Sequence, residues 1–233
     1  MKDVIERIGH QNPNLVKPAL GPKEPWAYRN KMQMPVGGVR GDIQMGFYAM
    51  GSHDIVQGTN CPIQDEGNNR IAQICYDIAK ELDVEPYDEH TGKGVLRHII
   101  GRIGQSGWMV ILVTATDYLL HQEQWIDKLT ERIPQVETIV HNVNGKRTNV
   151  ILGPKNNILY GDGTITDHIK DLRFTLSPHS FFQVNPEQTT VLYDQALAYA
   201  DLKGNETVID AYCGTGTISL FLAHKAKHVI GIE

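Results

Sequence analysis

The sequence lacks an apolar run long enough to cross a membrane and lacks a start typical of a signal peptide. A membrane helix needs about 20 consecutive apolar residues, and the first residues, MKDVIERIGHQN, are mostly polar. Cysteine is scarce as well. The three cysteines cannot form a paired disulfide framework without one left over. With 41% hydrophobic and 21% charged residues, we expect a folded, soluble, cytoplasmic protein without a membrane partner.

Positive charge is also not in excess, since the formal net charge is −5. This balance argues mildly against nucleic acid as a partner, which usually requires a basic face. Basic residues still cluster locally, at Arg29 and Lys31 and again at Arg97 and Arg102. These four could contact an RNA backbone, and solvated charges on strands are at least as good an interpretation. The ten histidines form no metal-binding pattern, and the nearest cluster, at 88–90, has the composition of a solvated loop.

Periodicity predicts an α/β chain of two units behind a short leading segment. Residues 1–26 read as a helix followed by a proline-rich loop. From Ile43 the elements follow the order strand, helix, strand, strand, helix, strand, which predicts a ferredoxin-like α+β domain over residues 27–170. Its two helices, at 68–82 and 122–133, each carry an apolar stripe at helical spacing. The stripes consist of Ile71, Ile74, Cys75, Ile78 and Leu82, and of Trp125, Leu129 and Ile133.

The last segment, residues 171–233, changes character. Asn185 is a good helix cap, and Gln188 occupies the position of a capping box, so a helix is predicted over 186–200. A strand at 207–212, a glycine loop, a helix and a strand from His228 follow. This order predicts the first βαβ unit of a Rossmann-like domain, without the remaining strands.

The glycine loop carries the chemistry. Gly214 and Gly216 stand at a strand-to-helix turn where a ligand can approach the backbone, and Glu233 ends the next strand, where a carboxylate can accept ribose hydroxyls. A nucleoside cofactor is therefore implied. NAD is disfavoured, because Ser219 stands where its fingerprint needs a third glycine. Asp210 better suits a cofactor with cationic groups than one with a pyrophosphate. A glycine turn without any ligand is the alternative.

Two longer blocks give the sequence a family resemblance. The block Ser177–Asn185, with the sequence SPHSFFQVN, is followed by Asp210–Gly216, with the sequence DAYCGTG. Together they resemble the paired signature of S-adenosylmethionine-dependent RNA uracil-5-methyltransferases, those that modify bacterial 23S ribosomal RNA being most similar. Shorter blocks resemble the same family in the same order, and these are Tyr28–Lys31, Asn60–Ile63 and Leu96–His98.

The resemblance implies S-adenosylmethionine as cofactor and a uridine in RNA as substrate. It implies that Gln183 contacts the cofactor, that Tyr212 lines it beside Gly214 and Gly216, and that Glu233 binds its ribose. Phe181 and Phe182 also suit a hydrophobic core, and we expect at least one of them there.

The resemblance also implies that no catalytic residue lies within this chain. In the family a thiolate adds to C6 of uracil and a carboxylate later removes the C5 proton, and both lie far downstream of the glycine loop. Cys213 is interpreted as a loop residue and not as a substitute nucleophile. Cys61 matches the last of four iron–sulfur ligands in cluster-bearing relatives, and one thiolate cannot hold a cluster.

We therefore expect an incomplete, inactive portion of a methyltransferase that self-associates through its unfinished sheet. The alternatives are a non-catalytic RNA-binding or assembly module, and a small-molecule methyltransferase or NAD oxidoreductase that shares only the glycine loop.

Overall fold

The computed structural model describes residues 1–233, which form five α-helices, one short 3-10 helix (Pro13–Leu15) and eleven strands. The helices are α1 (Lys2–Arg7), α2 (Glu66–Glu81), α3 (Gln122–Arg132), α4 (Pro186–Ala200) and α5 (Thr217–Ala223). The strands are β1 (Lys31–Val39), β2 (Asp42–Tyr48), β3 (Ile55–Gln57), β4 (Leu96–Ile103), β5 (Trp108–Thr114), β6 (Val136–Val143), β7 (Lys155–Tyr160), β8 (Ile165–Ile169), β9 (Leu172–Leu176), β10 (Thr207–Ala211) and β11 (His228–Ile232). No helix is both long and apolar enough to span a membrane.

Seven strands form one mixed sheet in the order β3-β2-β1-β4-β5-β6-β7. All neighbours are antiparallel except β5 and β6, which are parallel and are joined by α3. This order departs from the predicted ferredoxin-like arrangement. A split βαβ unit places another strand between its two parallel strands, and here β5 and β6 are direct neighbours. The prediction began at Ile43 and left out β1, which lies between β2 and β4.

The central strands of this sheet are buried on both faces, and their side chains alternate between the two. Along β5, Val110 and Leu112 pack with α2 and α3 in a core of 22 buried residues. Met109 and Ile111 point the other way, into a second core of 12 buried residues. The predicted helix stripes line the first core, and Trp125 is fully buried there.

The second core is built by the chain that follows β7. The antiparallel hairpin β8–β9, the segment between β9 and α4, and the helices α4 and α5 supply its other half, contributing Ile165, Ile169, Phe174, Leu176, Phe182, Tyr193 and Phe221. The predicted boundary between residues 170 and 171 falls at the turn of this hairpin. Strand β8 was not predicted.

The C-terminal unit consists of β10, α5 and β11. The two strands are parallel, with Ile209 paired to Ile230, and they form a separate two-stranded sheet. This confirms the predicted strand, loop, helix, strand order. Helix α5 packs on the strands, while Ile209, Ile230 and Ile232 remain 63%, 49% and 54% exposed. The apolar face that these three side chains form is uncovered.

Candidate functional site

The glycine loop joins the end of β10 to the start of α5. Three of its residues have positive φ, Tyr212 at 64°, Gly214 at 56° and Gly216 at 76°. Left-handed backbone is costly for residues with a Cβ, which explains the two glycines. A Cβ added to either glycine would meet nothing within 4 Å. The backbone of the loop is therefore open to an approaching ligand.

Glu233 is held beside this loop. The Gly214 N–H donates a hydrogen bond of 2.8 Å to Oε2 of Glu233, and the Cys213 N–H donates to the carbonyl of Ile232 at 3.1 Å. The structure thus brings together two residues that the sequence places 19 positions apart. The other carboxylate oxygen, Oε1, makes no hydrogen bond within the chain and can accept one from a ligand.

Asp210 and Ser219 connect the strand to the helix behind the loop. The Ser219 hydroxyl donates to Oδ2 of Asp210 at 2.5 Å. The residue at the third-glycine position of a dinucleotide fingerprint therefore ties α5 to β10 through its side chain. Asp210 is half-buried and was predicted to favour a cationic cofactor, and one of its oxygens is already occupied by this contact.

Neither the Tyr212 nor the Gln183 side chain takes part in the hydrogen bond between Gly214 and Glu233. The Tyr212 side chain is 93% exposed. Gln183 is half-buried and lines a cavity of about 410 Å³ along the first turns of α4, together with Leu20 and Leu192. No residue of the glycine loop lines that cavity.

Helices α4 and α5 connect the two places. The Tyr193 hydroxyl and the Thr217 hydroxyl lie 2.8 Å apart, and the rings of Tyr193 and Phe221 meet edge to face at 5.1 Å. Asn185 caps α4 as predicted, accepting from the Gln188 N–H at 3.0 Å. The Gln188 side chain donates to the Leu20 carbonyl and does not complete a capping box.

The segment that carries Gln183 is held by a buried arginine, which the sequence did not reveal. Arg102 is 3% exposed and donates to the carbonyls of Ser177 at 3.2 Å and Ser180 at 2.7 Å. The Asn30 N–H donates to the Val184 carbonyl at 2.9 Å. Phe182 is buried in the second core and Phe181 is exposed, as expected for at least one of the pair.

Arg97 and Arg102 are not solvated charges on strands, since each is 3% exposed. The other interpretation, a contact to an RNA backbone, stays a prediction. Arg97 donates to the carbonyls of Asn144 and Lys146 at 2.6 and 2.7 Å. Lys31 is partly buried, and this burial and then the charge of Arg102 lower its pKa to about 8.

Comparison with known proteins supports the resemblance to RNA methyltransferases. No protein-family model matches the chain. Curated proteins named RNA methyltransferase from Halalkalibacterium halodurans, Bacillus cereus and Clostridium tetani are 50%, 48% and 47% identical to it over its full length. The predicted resemblance to RNA methyltransferases is confirmed. The chain spans about half the length of these relatives, 51% in each case.

A solved structure shares the fold. The tRNA (uracil-54, C5)-methyltransferase of Pyrococcus abyssi, in complex with S-adenosyl-L-homocysteine, superimposes with a TM-score of 0.71 at 22% identity. The match covers 90% of this chain and 50% of that one. The mixed sheet and the helices therefore form an architecture also found in a methyltransferase.

The three cysteines occupy three different environments. Cys75 is fully buried in the first core, where burial raises the pKa of its thiol. Cys213 lies against β11, since a Cβ on Gly231 would stand 2.9 Å from its Sγ. Cys61 is half-buried and bonded through its backbone to Asn69. No group of three or more potential ligands could hold a metal ion.

Proposed function

We propose that this chain is part of an S-adenosylmethionine-dependent enzyme that methylates C5 of uracil in RNA, with ribosomal RNA as substrate. One observation carries the proposal, the hydrogen bond that sets Glu233 beside the open glycine loop at Gly214. The names of the relatives support RNA methylation, and the neighbouring fold was solved with the demethylated form of the same cofactor.

The residues present fit this cofactor. The loop at Gly214 and Gly216 lets a ligand approach its backbone, and Oε1 of Glu233 can accept a ribose hydroxyl. The cofactor would supply an electrophilic methyl group on a cationic sulfonium. Tyr212 offers an exposed ring at the same loop. We place Gln183 at the methionine end, reached through the contact of α4 with α5.

The two units divide the work in this proposal. Residues 171–233 contribute one wall of the cofactor site, and residues 27–170 contribute contacts to RNA. Methyl transfer to C5 also needs a thiolate that can reach C6 of uracil. Cys75 is enclosed in the core and Cys213 faces β11, so we propose that these 233 residues alone transfer no methyl group.

A saturation-transfer NMR experiment with S-adenosylhomocysteine tests the cofactor site, because it detects binding as weak as millimolar. We expect transfer to the ribose and adenine protons with the unmodified chain and its loss with Glu233→Gln. Glu187→Gln is the matched control, since Glu187 is exposed in the first turn of α4. Equal signals from both variants would contradict the assigned role of Glu233.

The second test is transfer of labelled methyl to an unmodified ribosomal RNA fragment. We expect no label at uracil C5 from this chain. Specific label that disappears with Cys213→Ala would overturn the proposal that the chain lacks its nucleophile.

The uncovered face of β10 and β11 motivates a related proposal. An apolar face of this kind is normally covered by further strands or by another molecule. We propose that the isolated chain self-associates through Ile209, Ile230 and Ile232. Light scattering should show a dimer or larger species, and Ile209→Lys should return it to a monomer. A monomeric unmodified chain would contradict the proposal.

A further inference from the structure

A polar cavity of about 230 Å³ lies beside β4, far in sequence from the glycine loop. Only one of its eight lining residues is hydrophobic. Four segments form it: the loop after β2, the residues between α2 and β4, strand β4 itself, and the loop between β6 and β7. The polar side chains that matter are His53, Glu89, His90, Arg97, Arg147 and Thr148.

Arg97 is the buried part of this wall. Its guanidinium lies 4.5 Å from the centre of the Tyr87 ring and donates through Nη1 to the two carbonyls of the β6–β7 loop. Its Nε is buried without a hydrogen-bond partner. No acidic side chain pairs with Arg97, and a buried charge without a counter-ion is costly. An anion in the cavity would supply that missing partner.

The other charges around the cavity leave it positive. Glu89 is its one lining carboxylate, and it is already engaged by His53 Nδ1 at 2.6 Å and by the Tyr48 hydroxyl at 3.1 Å. Arg147 is exposed and donates to the Thr91 carbonyl, again without a carboxylate partner. Two guanidinium groups therefore line a cavity whose one carboxylate already has hydrogen bonds to His53 and Tyr48.

We propose that this cavity binds one phosphate group of the RNA backbone, gripped by Arg97 and Arg147. Arginine is the side chain best suited to phosphate, because its N–H groups match the oxygens in pairs. The volume lies below the range of about 300–1,000 Å³ that holds a drug-sized ligand, so one phosphate fits better than a whole nucleotide. The proposal rests on RNA as the substrate, and it adds a contact outside the methylation site.

The test measures RNA binding by fluorescence anisotropy with a labelled single-stranded oligonucleotide over a series of salt concentrations. Arg147→Gln is the informative variant, because Arg147 lies on the surface whereas Arg97 supports a loop. We expect about tenfold weaker binding. The slope of log affinity against log salt should fall by about 0.7, the loss of one phosphate contact on a single strand.

Arg40→Gln is the matched control. Arg40 is also an exposed arginine outside the strands, in the turn between β1 and β2, and it pairs with Asp83 at 2.7 Å. The Arg40→Gln substitution removes the same charge from the protein as Arg147→Gln. It should leave both the RNA affinity and the salt slope nearly unchanged. Equal effects of the two variants would overturn the phosphate site, while RNA binding itself would still support the proposed function.

Inorganic phosphate, followed by ³¹P NMR line broadening, distinguishes the source of the anion. Broadening that needs Arg147, with no RNA binding by the unmodified chain, would assign the cavity to free phosphate and would count against RNA as the partner. No broadening and no RNA binding would overturn the proposal entirely. None of these measurements depends on methyl transfer.

Discussion

The seven-stranded sheet and the C-terminal βαβ unit contain strands of similar composition in opposite surroundings. Strand β5 (WMVILVT) is buried along nearly its whole length, whereas no residue of β11 (HVIGI) is buried. The sheet is covered on both faces, by α2 and α3 on one side and by the chain after β7 on the other. Helix α5 covers only one face of β10 and β11. An apolar strand sequence therefore indicates that the strand can be buried. Whether it is buried depends on the elements that pack against it.

The same truncation in each region should give the largest difference in effect. Ile111 on β5 is 1% exposed and Ile209 on β10 is 63% exposed. Ile111→Ala should lower the free energy of unfolding by about 4 kcal/mol, because it removes buried methyl groups and leaves a cavity. Ile209→Ala should cost less than about 1 kcal/mol. Urea denaturation at a dilution that keeps the chain monomeric measures both losses, and similar losses would mean that the face of β10 is covered within a single chain.

Two arginines, the buried Arg102 on β4 and the exposed Arg173 on β9, extend the comparison of buried and exposed side chains. Arg102→Met removes hydrogen bonds to the Ser177 and Ser180 carbonyls and should cost about 3 kcal/mol, since those acceptors are left unpaired. Arg173→Met is the control, because Arg173 is exposed on β9 and donates only to the Thr166 hydroxyl. Its cost should stay below about 0.5 kcal/mol. If the two variants lose equal stability in thermal unfolding, Arg102 does not stabilise the segment that carries Gln183.

The seven-stranded sheet and the βαβ unit should differ in how their stability depends on pH. Both histidines of the βαβ unit are exposed. His98 on β4 is 5% exposed, and burial and then the charge of Arg97 lower its pKa to about 4, against the smaller opposing effect of Glu89. The unfolded chain takes up the proton at the ordinary pKa, so stability falls as the pH drops from 6.5 towards 4.

Between pH 7 and pH 5 the His98 contribution amounts to about 2 kcal/mol. His98→Asn should remove that part of the pH dependence, whatever it does to the stability at pH 7. Denaturation curves at a series of pH values, with the histidine ring signals followed by NMR, provide the measurement. An unchanged pH dependence in the variant would show that His98 is not held neutral.

At the glycine loop we expect an effect on stability smaller than those of Ile111→Ala, Arg102→Met and His98→Asn. Gly214 and Gly41 both have positive φ, 56° and 85°, and both have open space around a Cβ. Alanine at either should cost about 1 kcal/mol of backbone strain. Only Gly214→Ala should also abolish the NMR signal from S-adenosylhomocysteine, because its methyl group occupies the surface that the ligand approaches. Loss of that signal in both variants would indicate general unfolding.

Local signals in the sequence were sufficient for the helices and for the loop. The stripe around Trp125, the cap at Asn185 and the glycines at 214 and 216 each depend on residues within a few positions. The parallel pairing of β10 and β11 followed from one strand, loop, helix, strand sequence. The placement of Glu233 beside Gly214 agrees with the same pattern.

Local signals in the sequence could not predict contacts between residues that are distant in the chain. Strand β3 and strand β8 are short or polar, and each becomes a strand because a partner lies beside it. The ferredoxin-like order failed at β1, whose place between β2 and β4 is decided by pairing and not by its own residues. The roles of Tyr212 and Gln183 as cofactor contacts stay predictions. Tyr212 is exposed on the glycine loop, and Gln183 lines a cavity to which that loop contributes no residue.

The sequence by itself determined where helices begin, which faces are apolar and where the backbone must turn through left-handed conformations, because caps, periodicity and glycine act over a few residues. Tertiary structure decided what the charged residues do. Arg102 contacts a carbonyl 78 residues away, and Arg97 holds a loop 47 residues away. A guanidinium is drawn to whichever unpaired acceptors the fold brings near it, and no local pattern encodes which acceptors those will be.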